Sequence, residues 1–137
     1  MTTVAYRNGV LAADSLVTTG DTKLPELKRK VWKLRDGRLF GGAGDSETIE
    51  YLKASINDGV EAPKLSGVEA ILVDTYGAVT IYEGKAWVRV SSPYVALGTG
   101  STIALTAMWM GADAKTAVKA GIKFDRNSGG RVYAVKL

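Results

Sequence analysis

The chain has 137 residues, 46% of them hydrophobic and 23% charged, with a formal net charge of +4. That length and apolar content suit one folded domain with a real core and exclude a disordered polyelectrolyte. Cysteine and histidine are both absent, which excludes disulfides, thiol catalysis, thiolate metal sites and any imidazole base.

An enzyme built from this composition needs a different base near neutral pH. A free α-amine, with a reference pKa of about 7.7–8.0, is the obvious remaining group. No apolar run approaches the roughly 20 residues of a membrane span. The N-terminus has no basic segment followed by an apolar stretch. A cytoplasmic location is therefore expected, with no membrane contact.

Residues 1–15 open the chain as Met1-Thr2-Thr3-Val4-Ala5-Tyr6-Arg7-Asn8-Gly9-Val10-Leu11-Ala12-Ala13-Asp14-Ser15. Two apolar runs flank an Asn-Gly pair, the strongest short-range signal for a hairpin. A three-residue loop, Arg7-Asn8-Gly9, sets Thr2 opposite Asp14. A two-residue loop pairs Thr3 with Asp14 and turns Thr2 to the other face. The hairpin residues alone leave both registers open.

Leu16 to Leu27 is polar and holds Gly20, Asp21 and Pro25, so it reads as a loop. Lys28 to Arg35 reads as a strand and concentrates the basic residues. With little aromatic interleaving and no binding motif it points away from nucleic acid and toward a solvated strand with one lysine turned inward. Asp36-Gly37 signals a second hairpin leading to a strand over Arg38–Ala43. Gly41-Gly42-Ala43-Gly44 closes that strand, where close backbone approach is expected.

Asp45 or Ser46 caps a helix over residues 46–57, with Ile49, Leu52 and Ile56 at helical spacing. Residues 57–67 form a linker. Strands follow at Val68–Thr75, Ala78–Tyr82, Trp87–Val90 and Tyr94–Leu97. Gly98-Thr99-Gly100 begins a helix over Ser101–Met110, with Ile103, Ala107 and Met110 on one stripe. A dinucleotide or P-loop reading of those glycines fails, because Ile103 stands where the third glycine is needed and no Walker lysine follows. A helix over Ala114–Phe124 sets Lys115, Lys119 and Lys123 opposite Val118 and Ile122. The turn Asp125-Arg126-Asn127-Ser128-Gly129-Gly130 leads to a last strand, Arg131–Leu137. This order of elements predicts an α+β layered sandwich, two sheets face to face with helices outside.

Taken in order, the MTTVAYRNGVLAADS hairpin, the lysine in Arg29-Lys30-Val31, the Gly41-Gly42-Ala43-Gly44-Asp45 turn, Gly98-Thr99-Gly100 and the Asp125–Gly130 turn carry a resemblance over nearly the whole chain. The chain resembles the proteasome β-subunit family, including the peptidase subunit of the bacterial ATP-dependent two-component protease. It is most similar to short proteasome-like proteins of phages and some bacteria. The resemblance implies one domain over residues 1–137 with a four-layer αββα sandwich of two antiparallel sheets, the N-terminal nucleophile hydrolase fold.

It also implies roles. Thr2 matches the family's nucleophile, whose own α-amine takes the hydroxyl proton. Asp14 matches the aspartate that ends the second strand, and Lys30 lies sixteen residues later, the family's separation. Such a lysine lowers the hydroxyl pKa, while the aspartate orients it and compensates its burial. Gly41 matches the residue whose N–H stabilises the oxyanion. Asp125 and Ser128 match the late Asp-x-x-Ser-Gly motif beside the threonine amine, and Thr99 keeps a hydroxyl where the family usually has serine. With these roles assigned, the three-residue loop is the expected register, setting Thr2 across from Asp14.

The implied activity is threonine-type peptide hydrolysis. It needs no cofactor and no metal, and it awaits removal of Met1 ahead of the small Thr2. Substrates would be peptides or unfolded protein, with an ATP-dependent unfoldase as a partner. Two other readings use the same fold: an amidase acting on small molecules, and an inactive structural subunit. The chain departs from the family between the first helix and Val68, where a short linker replaces a second helix. A reduced helical layer is expected there. A homo-oligomer follows from the resemblance, with a ring as one arrangement and a standard stacked barrel not assumed.

Overall fold

A computed structural model describes residues 2–60, 64–84 and 86–137. Met1, part of the expected 57–67 linker and Lys85 lie outside the described residues. The fold is α+β, and all strand pairs among the described residues are antiparallel.

β1 (Val4–Arg7) and β2 (Val10–Ala13) form the opening hairpin. Arg7 pairs with Val10, and Asn8 and Gly9 both take positive φ, 51° and 78°. That is a two-residue turn, whose twist matches the flanking strands. The register therefore sets Thr3, not Thr2, against Asp14, with Asp14 N donating to Thr3 O at 3.1 Å. The three-residue loop expected from the family roles is not what forms. Asn8 tolerates the left-handed region well enough for the tighter turn.

The segment expected as a loop at 16–27 is a second hairpin, β3 (Leu16–Thr19) and β4 (Thr22–Leu27), standing as a small sheet of its own. Its polar composition hid it because β4 is largely exposed and so lacks an apolar face. The described residues thus carry three sheets rather than two. β5 (Val31–Lys33) is shorter than expected: Lys30 O still accepts from Gly42 N, but Lys28 N turns to Ser15 O. β6 (Leu39–Gly44), β7 (Val68–Val73), β8 (Val79–Tyr82) and β9 (Trp87–Val90) continue a five-stranded sheet in sequence order. β10 (Tyr94–Leu97) and β11 (Tyr133–Lys136) flank the opening hairpin in the order β10-β1-β2-β11.

Among the described residues, three apolar clusters hold these elements together. Val4, Leu11 and Ala13 meet Val31, Leu39, Ile71 and Val73 between the larger sheets. On the other face of β1 and β2, Ala5 and Ala12 lie against Ala104 and Met108 of α2 (Ser101–Trp109) and Ala117 and Val118 of α3 (Ala114–Phe124). α1 (Ser46–Asn57) covers the five-stranded sheet through Ile49 and Leu52 against Phe40 and Ala70. Each fully buried leucine or valine contributes about 1.5–3 kcal/mol of transfer free energy. Alanines at the α2–α3 face let the helices sit close to the hairpin.

Asp45 caps α1, accepting from Thr48 N at 2.9 Å, and Asp113 caps α3 through Thr116 N at 2.8 Å. The stripe expected on α2 is rotated. Ala104 and Met108 are buried, whereas Met110 is exposed. Ser101–Trp109 contains no charged residue, so spacing had no polar face from which to orient the helix. Among the described residues no helix is long and apolar enough to cross a membrane.

Candidate active site

The opening hairpin, the start of β5, the 98–100 segment and the turn after α3 meet at one place. Thr2 and Thr3 continue β1 beyond its last ladder pair, and successive side chains on a strand point to opposite faces. Thr2 faces the five-stranded sheet and the lysine ahead of β5. Thr3 faces α2 and α3.

Lys30 Nζ lies 3.0 Å from Thr2 Oγ1 and 3.1 Å from Asp14 Oδ1. It is the inward lysine of the basic stretch. Lys28, Arg29, Lys33 and Arg35 are exposed. Lys30 bridges Thr2 and Asp14. The Asp14 side chain is fully buried and ends the β1–β2 ladder in place of a backbone carbonyl. Its Oδ1 accepts Thr3 N at 3.0 Å, and its Oδ2 accepts Gly129 N at 3.0 Å and Leu16 N at 3.4 Å. Burial pulls the Lys30 ammonium below its usual range, and the Asp14 charge and hydrogen bond offset this only in part.

The second group of residues lies beside the Thr2 nitrogen. Thr2 N is 3.4 Å from Thr99 Oγ1, and Thr99 donates to Asp125 Oδ2 at 2.7 Å. Ser128 donates to the same oxygen at 2.6 Å. Because the single Ser128 hydroxyl hydrogen is used there, Thr3 is the donor in the 2.7 Å bond between Thr3 Oγ1 and Ser128 Oγ. Partial burial pushes the Asp125 carboxyl upward. Hydrogen bonds from Ser128, Thr99 and the Asn127 amide outweigh it and hold the group below the ordinary carboxylate range. The carboxylate thus stays ionised two hydrogen bonds from Thr2 N.

Gly41 falls elsewhere. Gly42 N donates to Lys30 O at 3.1 Å, and Val31 pairs with Gly41. Backbone N–H groups alternate between neighbours along an antiparallel strand. The Gly41 N–H therefore faces β7. A Cβ on Gly41 would sit 3.0 Å from Val31 Cγ1 and 3.2 Å from Leu11 Cδ2, inside the core between the sheets. The same alternation turns the Gly44 N–H toward the β5 side, past the end of that strand. There Lys28 N donates to Ser15 O instead of continuing the ladder. Gly44 and Thr2 line one cleft of about 330 Å³. The glycine of this segment that lines the cleft is Gly44 rather than the expected Gly41, and Gly44 takes φ 120° and approaches Gly67 O too closely for any Cβ. A family motif places a glycine by its order in the chain and says nothing of strand phase.

Three further contacts were not legible as site features. A Cβ on Gly98 would collide with Thr2 O, and one on Gly100 or Gly121 would collide with Thr3 Oγ1. The Gly98-Thr99-Gly100 glycines thus serve close approach to the Thr2–Thr3 segment, with Gly100 N donating to Thr2 O at 3.2 Å. Gly121 inside α3 was the available signal, since glycine in a helix interior costs about 1 kcal/mol and calls for a packing reason. Gly121→Ala should lower the urea midpoint by an amount equivalent to about 1–3 kcal/mol, despite the better helix propensity of alanine.

Among the described residues no cluster of three or more metal-ligating side chains occurs.

No known family profile matches the chain, and no curated protein matches its sequence. Solved structures do share the fold. Thiobacillus denitrificans BPH superposes with a TM-score of 0.74 at 17% identity, covering 99% of this chain and 96% of that one. Thiobacillus denitrificans BPH in complex with epoxomicin gives a TM-score of 0.71 at 17% identity, covering 99% and 97%.

Proposed function

We propose that the protein is a threonine peptidase of the N-terminal nucleophile class, related to the proteasome β-subunits, and that its packing is the four-layer αββα sandwich of that class in a single domain. One observation carries the reading: a buried lysine, held by a buried aspartate, sits 3.0 Å from the hydroxyl of the second residue. Surface lysines do not take such positions, because burying a charge without a task is costly. Likeness of fold to a protein solved with epoxomicin supports the same reading.

In this mechanism removal of Met1 leaves Thr2 N as a free amine. Thr2 Oγ1 attacks the peptide carbonyl carbon and its proton passes to the amine, through a water. Lys30 stabilises the developing alkoxide, and the Gly44 N–H donates to the oxyanion. The amine then hands the proton to the leaving nitrogen as the C–N bond breaks, giving an ester on Thr2. Water, deprotonated by the same amine, hydrolyses that ester. The Thr99–Asp125–Ser128 group holds the amine in place and sets its protonation. Substrates are peptides or unfolded protein, with a homo-oligomer and an ATP-dependent unfoldase as partners.

Intact mass of the purified protein should show loss of Met1. Epoxomicin or a β-lactone should then add one inhibitor mass, located on Thr2 by peptide mapping. A processed N-terminus with no labelling and no peptide cleavage would sink the proposal and favour a structural subunit.

A further inference from the structure

The cleft beside Thr2 carries an uneven charge distribution. Of its basic residues, Lys30 is bound to Asp14. Glu50, the carboxylate on the cleft wall, is 2.8 Å from Lys53 Nζ, and that ammonium lies 4.1 Å from the Trp32 ring centre. Both pairs are internally neutral. Arg29 sets its guanidinium 5.0 Å from the Tyr133 ring. Lys28 also lines the cleft, and among the described residues neither Lys28 nor Arg29 has a carboxylate within ion-pair distance.

Lys28, Lys30 and Trp32 occupy alternate positions along the chain running into β5, and all three line the cleft. Lys30 points to the nucleophile, so Lys28 and Trp32 flank the place where the side chain next to the scissile carbonyl must lie. Ile49, which is buried, and Trp32 supply an apolar floor. The cleft therefore offers an apolar base and a cationic wall.

We propose that the cleft receives an acidic side chain, glutamate before aspartate, immediately before the cleaved bond, with Lys28 as the residue that selects it. The two methylenes of glutamate cover Trp32 and Ile49, and its carboxylate meets the Lys28 ammonium. A lysine or arginine there would face Lys28 and be rejected. This rests on the peptidase reading for the chemistry, but the charge selection is a property of the cleft alone.

The test separates the two. Thr2→Ala protein is titrated with three N-acetylated peptide amides that differ only in a terminal Glu, Leu or Lys, read by Trp32 fluorescence. The Trp32→Phe protein establishes which signal belongs to the cleft. The Glu peptide should bind at least about threefold tighter than the Leu peptide and tighter still than the Lys peptide, the range of a partly exposed ion pair. The gap should shrink as ionic strength rises. Lys28→Gln should equalise Glu and Leu, and Lys28→Glu should reverse the order of Glu and Lys. Equal or tighter binding of Leu, no binding of any peptide, or an order unmoved by both Lys28 variants overturns the inference. In parallel, processed wild-type protein is treated with epoxyketone peptides ending in Glu or Leu. Labelling without a Glu preference overturns the inference and leaves the peptidase reading standing. Glu-selective binding without any labelling keeps the charge selection by Lys28 and overturns the peptidase reading, and with it the placement before a cleaved bond.

Discussion

Thr2→Ala should erase covalent labelling by epoxomicin, and Lys30→Met should slow it by about 10²–10³-fold while leaving the protein folded. The first follows because Thr2 Oγ1 is the attacking atom of the proposed mechanism. The second follows from the 3.0 Å contact between Lys30 Nζ and that oxygen, since a positioned donor at a developing charge is worth about that factor. Methionine keeps most of the volume and apolar stem of lysine. Asp14 also keeps three backbone N–H donors after the exchange, from Thr3, Gly129 and Leu16, so no carboxylate is stranded. Second-order labelling rates by mass spectrometry measure both effects, and circular dichroism checks the fold. A Lys30→Met protein that labels at the wild-type rate would remove lysine from the mechanism.

Asp14→Ala should be the most damaging change to stability, at about 3–5 kcal/mol, because it leaves a buried ammonium without its counter-charge and frees three buried N–H groups. A domain of this size holds only about 5–15 kcal/mol in total. The asymmetry with Lys30→Met is the informative part: one pair, with one partner expendable to the fold and the other not. Urea midpoints of the two variants against wild type measure it.

The pH dependence has a definite sign. In the folded state Lys30 loses its proton below its ordinary value of 10.5, because burial disfavours the charge. Between the folded value and 10.5 the unfolded chain binds more protons, so stability relative to Lys30→Met should rise with pH across that window. Below the folded value the cost of the buried charge is present in full. Urea midpoints of both proteins between pH 7 and 10 should converge or cross in that direction. A gap that widens against wild type would mean that Asp14 more than compensates the burial of Lys30.

Much of the site was readable as residue types in order. Thr2, Asp14, Lys30, Thr99, Asp125 and Ser128 do converge, and it was the order of the motifs, through the family resemblance, that singled them out. Helix positions were also legible where a cap and a polar face existed, as in α1 and α3. What failed did so for lack of contrast. α2 has no charged residue to orient it, and the β3–β4 hairpin has no apolar face to announce it.

The amino-acid sequence by itself determined that any base here is neither histidine nor cysteine, that Asn8-Gly9 turns the chain, and that one basic segment precedes a glycine-rich strand end. Those are consequences of side-chain chemistry and local backbone preference, which need no partner. Only the tertiary structure decided the phase of the strands. Two residues in the turn instead of three put Thr3, not Thr2, opposite Asp14. The alternation of β6 put Gly44, not Gly41, at the cleft. A strand repeats every two residues, so a shift of one exchanges its faces. Which face wins is set by what packs on each: Gly100 and Gly121 closing over Thr3, and Lys30 reaching across to Thr2.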